Sequence, residues 1–285
     1  MMKSFTKRIA RLFLAYMCSF LLFTLLLFIC IRVTLIRPAF MQQQIDDSHY
    51  VMNIHKEISE KIQDLGRGSN IPPEVVKDIV PEPFIEKNMY RYVDTLYNGT
   101  AFTLQDADKL KQTMVGKLKH YAENQKIHTG EKTNEGIKQF VDSSLQVVKQ
   151  GIEIPYLAGF IQRVSQYKAT LDAFIAGAAV IFCVLIGMLA LVLRAKKESL
   201  FFASFILAGT GLSMIVFPLL IYFSGMIDRI GIMTRSLYEF VKTYLTAVDL
   251  FLVKTGIAVI ALSVCILLVY GGLSYRRELA KTKNL

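Results

Sequence analysis

LFLAYMCSFLLFTLLLFICI, residues Leu12–Ile31, runs for 20 residues without a charged side chain. At 1.5 Å per residue a helix of that length is about 30 Å long, which matches the hydrocarbon core of a bilayer. Three further charge-free runs follow, Ala173–Leu193 (21 residues), Ser199–Ile227 (29 residues) and Thr255–Tyr275 (21 residues). Four transmembrane helices are therefore expected. The composition agrees, because 53% of the 285 residues are hydrophobic, a balance too apolar for an ordinary soluble chain.

Lys3, Lys7, Arg8 and Arg11 precede the first run, as basic residues precede the apolar core of a signal peptide. The run is longer than such a core, and Arg32-Val33-Thr34-Leu35-Ile36-Arg37 offers no small-x-small cleavage site, so it is read as an anchor.

The formal net charge of +10 is concentrated beside the spans. The N-terminal tail, the link with Arg194, Lys196 and Lys197, and the C-terminal tail with Arg276, Arg277, Lys281 and Lys283 hold 11 basic residues against Glu198 and Glu278. Residues 38–172 hold 16 basic and 18 acidic residues. With four spans, the three basic segments share one side, and the positive-inside rule makes that side cytoplasmic. The charge is expected to set topology and to contact anionic lipid headgroups, at about 1 kcal/mol per basic residue near the surface. Nucleic-acid binding is excluded, because the basic residues form no soluble patch with stacking or groove-reading elements.

The expected fold is an all-α integral membrane protein with four transmembrane helices and a helical extracytoplasmic domain between spans one and two. The boundaries read from charge and periodicity are a cytoplasmic basic tail at 1–11, spans at 12–36, 169–193, 199–226 and 253–275, the extracytoplasmic domain at 37–168, a cytoplasmic link at 194–198, an extracytoplasmic amphipathic helix at 227–252, and a cytoplasmic basic tail at 276–285.

Within the outer region the period is helical throughout. Val51, Ile54, Ile58, Ile62 and Leu65 form one stripe that stops at Gly66-Arg67-Gly68-Ser69, and Pro72-Pro73-Glu74 opens a short helix. Pro83 starts another with Ile85, Met89, Tyr92, Val93 and Leu96 inward, and Asn98-Gly99 stops it. Thr103, with Asp106 three residues on, reads as the N-cap of a helix carrying Leu110, Met114, Leu118 and Tyr121. Residues 126–136 read as a polar loop before a helix with Ile137, Val141, Leu145 and Val148, and Tyr156–Lys168 then leads into span two. The first outer helix is expected to grow out of span one, a continuity that could transmit motion.

Cys18 and Cys30 lie in span one, Cys183 in span two and Cys265 in span four, so no disulfide can staple the outer domain and core packing must hold it. Between spans three and four, Ile230, Met233, Leu237, Val241, Tyr244 and Val248 form an amphipathic stripe. That helix could lie in the headgroup plane, extend span four, or pack on the outer bundle; packing on the bundle is preferred, because a bundle near the membrane needs a partner surface.

No chemistry-bearing constellation emerges. His49, His55, His120 and His128 are spaced 6, 65 and 8 residues apart and form no helical metal pair. Asp46, Asp47 and His49 are as well explained by solvation as by a cation. The acidic group Glu74, Asp78, Glu82 and Glu86 reads as solvated helix starts. Asn98-Gly99-Thr100 matches a glycosylation sequon, but a turn already explains the Asn-Gly pair. No nucleophile motif or phosphate loop is present, so neither enzyme activity nor a cofactor is expected.

No Asp, Glu, Lys, Arg or His lies within the four charge-free runs, which argues against an ion-coupled carrier. Span three carries Ser204, Ala208, Gly209, Thr210, Gly211, Ser213 and Pro218, with small residues four apart at 204/208 and 209/213, the spacing of close helix packing, and packing within the chain is preferred over a pore-lining or dimer face. Pro218 should kink that run. The functional expectation is a non-enzymatic membrane protein whose outer domain binds a protein or envelope partner, in an adaptor, accessory, sensor or immunity-type role. The alternative is a homo-oligomeric pore with span three near its axis. A plasma membrane with both termini inside is expected, and the cysteine-free outer domain and short tails point to a bacterial one.

Overall fold

The computed structural model describes residues 2–126, 130–193, 196–232 and 234–282; His128, Arg194, Met233 and Lys283 of the sequence reading lie outside them. Among the described residues the regular elements are helices and no strand occurs. In chain order they are α1 (Met2–Thr34), α2 (Pro38–Asp47), α3 (Tyr50–Gly68), α4 (Pro73–Val76), α5 (Glu82–Asn98), α6 (Ala107–Asn124), α7 (Glu131–Ile152), α8 (Pro155–Gln166), α9 (Lys168–Val192), α10 (Lys196–Phe223), a 3-10 turn (Ile227–Arg229) and α11 (Arg235–Thr282). Four helical stretches are long and apolar enough to cross a membrane: Ile9–Thr34, Lys168–Leu191, Glu198–Arg229 and Arg235–Gly272.

The chain divides into two compact units. Unit 1 comprises Met1–Leu35, Tyr167–Gly231 and Tyr244–Leu285, and unit 2 comprises Ile36–Gln166 and Ile232–Thr243.

In unit 1, α1 packs on both α9 and α10. One cluster joins Ala15, Cys18, Leu189, Leu193 and Ile206, and a second joins Cys30, Met214 and Leu252. Large apolar side chains cover the rest of the surface, with Leu191 83%, Phe223 79% and Leu268 71% exposed. Water would penalise such a surface, at about 25 cal/mol per Å² of apolar area, whereas lipid tails would not.

In unit 2, α3 packs on α4, α5 and α7, and α6 packs on α7. Ile58, Ile62, Ile85, Met89, Met114, Val141 and Ile152 are each 1% exposed or less and form its interior. Burying each such side chain contributes about 1.5–3 kcal/mol, and a cysteine-free domain has to rely on this term. The α3–α7 approach is close, since a Cβ on Gly151 would stand 2.7 Å from the side chain of Ile58.

Local sequence chemistry moves several expected boundaries. The first outer helix does not grow out of span one: α1 ends at Thr34, short of residue 36, and the chain is interrupted twice before α3. Pro38 forces Arg37 into an extended conformation (φ −107°, ψ 115°), and His49 is left-handed (φ 52°). Thr103 is not an N-cap. The helix after it begins at Ala107 with Asp106 before it, because Asn88 of α5 captures the preceding loop: Gln105 N donates to Asn88 Oδ1 at 2.7 Å. Residues 131–136 are helical rather than loop, since Glu131 in the first turn complements the helix dipole and a single interior Gly136 costs only about 1 kcal/mol.

The expected helix at 227–252 followed by a separate span at 253–275 is instead a 3-10 turn, an irregular stretch from Ile230, and one helix from Arg235 to Thr282. Asp249 and Lys254 limit a charge-free run but do not break a helix, and no Pro or Gly lies between Arg235 and Thr255. The same helix covers most of the segment read as a tail at 276–285. At the other end, α10 starts at Lys196 inside the expected link and stops at Phe223, before Gly225 at φ 64°.

Candidate functional site

The small residues of α10 form the seam of unit 1. Thr210, fully buried, donates from Oγ1 to the Ser19 carbonyl of α1 at 3.0 Å, with the Ser19 hydroxyl 3.4 Å from the same atom. A Cβ on Gly209 would stand 2.6 Å from Ser19 Oγ and 3.6 Å from Ser19 Cβ, so α1 and α10 approach closely here and a larger residue would have to turn the Ser19 hydroxyl aside. On the α11 side, Ser263 Oγ donates to the Ser204 carbonyl at 2.7 Å. A Cβ on Gly211 would meet Ile260 Cγ1 at 2.6 Å and the Gly256 carbonyl at 2.8 Å. Of the candidates on span three, Ser204 and Pro218 are buried, Ala208 and Gly209 half-buried, and Ser213 exposed with its hydroxyl turned to the Gly209 carbonyl at 2.9 Å. The structure thus joins Ser204 and Gly209 to other helices of the same chain. Their partners Ser263 and Ser19, and Gly256 opposite Gly211, carry no signal in the sequence beyond being small or polar residues inside an apolar run.

The stripe between spans three and four is split. Ile230 precedes α11, and Leu237, Val241 and Val248 are only half-buried on it, whereas Tyr244 is buried. The face that packs is Ser236, Phe240 and Tyr244. Residues 232–243 belong to unit 2, where Phe240 meets Tyr50 with ring centroids 5.2 Å apart and Ser236 Oγ donates to Glu57. Burial, with the charge of Glu57 beside it, pushes the Tyr50 phenol well above its ordinary value. In unit 1, Tyr244 donates from its hydroxyl to the Thr34 carbonyl at 3.4 Å.

Unit 2 also holds a cleft of about 720 Å³. Its walls are the end of α3 and the turn after it (Asp64, Leu65, Gly68 to Ile71), α6 (Leu118, Tyr121, Ala122) and α7 (Thr133, Gly136, Ile137, Gln139, Phe140, Ser143). A smaller cavity of about 350 Å³ adjoins it along α7 and shares Gln139 and Ser143. Among the described residues Asp64 is the only carboxylate lining the larger cleft, and it pairs with Arg67 at 3.0 Å. The volume falls in the usual range for ligand pockets, and the lining mixes apolar walls with few polar groups.

The acidic and histidine groups are dispersed. Asp46 and Glu86 both accept from the Tyr90 hydroxyl, whose proton is held more tightly than in a free phenol through burial and those two carboxylates. The Lys87 ammonium, 2.8 Å from Asp106, holds that carboxyl below its usual range. His55 contacts the Val80 carbonyl at 3.0 Å. Tyr92 bridges α5 to the turn after α7, accepting from Ile154 N at 2.9 Å and lying 3.0 Å from Ile154 O. Burial raises its phenol while that backbone bond opposes the rise. Among the described residues no group of three His, Cys, Asp or Glu side chains is arranged to hold a metal ion. No protein-family model matches the chain, and no curated protein or solved structure matches it.

Proposed function

We propose that this chain is a multi-pass membrane protein of the bacterial plasma membrane, with both termini cytoplasmic and unit 2 on the outer side, and that unit 2 binds a protein or envelope partner. The observation that carries the reading is the cleft between α3, α6 and α7 in a unit with its own core. Its walls supply apolar surface, and hydroxyl and amide groups supply orientation. Among the described residues its lining brings no nucleophile and base together, so binding rather than bond chemistry suits it. The positive-inside pattern of the chain supports the sidedness, and the basic flanks suit anionic lipid headgroups.

The pore reading with span three at its axis draws on one feature, the exposed Ser213 of α10. Ser204 and Gly209 are already engaged within the chain, which favours the binding reading.

The test is photocrosslinking in native membranes from a photoreactive residue at Gln139 or Ser143, with Arg91 on α5 as an exposed control position. A reproducible foreign adduct from the cleft positions and none from Arg91 is expected. Adducts with a second copy alone would displace this reading in favour of the oligomeric one.

A further inference from the structure

Three contacts set the register of α10 on α11. Ser204 accepts from Ser263, Gly211 abuts Gly256, and Met214 packs with Leu252. The helices run antiparallel, and seven residues, close to two turns, separate Ser204 from Gly211 on one helix and Gly256 from Ser263 on the other. One more step of seven brings Pro218 on α10 level with Asp249 on α11. Both fit that inward placement: Pro218 is buried, and Asp249, half-buried as a residue, has a buried Oδ2 with no hydrogen-bond partner among the described residues.

Each of these residues leaves an acceptor unmatched. Pro218 has no N–H, so the Met214 carbonyl one turn earlier loses its helical donor. A buried acceptor left without a donor is costly, and more so if it is charged. Two acceptors facing one another cannot satisfy each other, but a proton placed between them satisfies both.

We propose that Asp249 is a proton-binding site, in which the neutral carboxyl donates from Oδ2 to the main-chain carbonyl of Met214. Among the described residues no other charge competes for the role. On α10 no charged side chain lies between Glu198 and Asp228. On α1, Arg32 is committed to Asp172 of α9 at 2.8 Å, and on α11 Lys254 is exposed. When the proton leaves to water, a carboxylate is left against a carbonyl dipole in the α10–α11 seam, and the two helices repel where they had been clasped. The seam is therefore responsive to pH.

Infrared difference spectroscopy on the full chain in lipid nanodiscs tests this. At neutral pH the wild type should show the C=O stretch of a protonated carboxyl that is missing in Asp249→Asn, and raising the pH should abolish it. Asparagine can donate to the same carbonyl, so that variant should keep its fold; the pH titration of the wild type needs no variant at all. In Pro218→Ala the Met214 carbonyl regains a backbone donor. The Asp249 band should then move to higher frequency and vanish about one pH unit earlier, the scale of one lost hydrogen bond. Absence of the band in the wild type at neutral pH overturns the proposal. A band indifferent to Pro218→Ala overturns the pairing with Met214, and stabilisation by sodium with no such band would replace the proton by a cation.

Discussion

The main-chain carbonyl of Gly211 lies 2.8 Å from the point where a Cβ on Gly256 would sit, and the converse distance is also 2.8 Å. The contact is reciprocal, and neither glycine has room for a methyl group. Close backbone approach is how helices associate in lipid, where no hydrophobic force drives them together.

Gly211→Ala should therefore separate α10 from α11 and destabilise unit 1 by about 1–3 kcal/mol, the usual cost of overpacking. Gly187→Ala on α9 is the internal control, because a Cβ there meets nothing within 4 Å. Reversible unfolding of the full chain in mixed micelles measures both. Equal effects of the two substitutions would show that the contact is not what Gly211 provides.

The four membrane-capable helices and most helices of unit 2 were legible because charge-free length and a 3.6-residue period are properties of the chain alone. The small residues of α10 pointed to close packing, but which helix each one meets was not legible, since a spacing along one helix does not name its neighbour. The stripe between spans three and four shows the limit sharply. A stripe that begins at Ile230 and Met233, before α11 starts, falls one residue off the packed face, on Leu237 and Val241 instead of Ser236 and Phe240. Charge-free length does not reveal Asp249 for a related reason: it lies outside the charge-free run but inside the continuous helix.

That one-residue difference is measurable. Phe240 is 2% exposed and stacks near Tyr50, whereas Leu237 is half-buried. Phe240→Ala should cost about 3–5 kcal/mol and Leu237→Ala markedly less, read by pulse proteolysis of the full chain. A larger loss at Leu237 would restore the face read from the sequence.

Tyr50 makes the stability of unit 2 sensitive to alkali. Burial, reinforced by Glu57, raises its phenol in the folded state above the unfolded value of about 10. The folded state thus holds the proton more tightly, and the stabilisation is complete below about pH 10 and lost as the pH climbs above it. Tyr50→Phe has no proton to lose. Its Tm should fall less steeply than that of the wild type above about pH 10, with the two curves parallel at neutral pH. Identical alkaline slopes would contradict the assignment.

Sidedness is the premise of the binding proposal and can be tested independently of any partner. In a background with Cys18, Cys30, Cys183 and Cys265 replaced, a single cysteine at Lys132 should react with a membrane-impermeant maleimide in intact cells. One at Lys197 should react only after the membrane is opened. Lys132 lies in the nearly neutral region and Lys197 in the basic link, so the positive-inside rule assigns them to opposite faces. The reverse pattern would turn the cleft of unit 2 inward, and a cytoplasmic partner would then replace the envelope partner proposed for it.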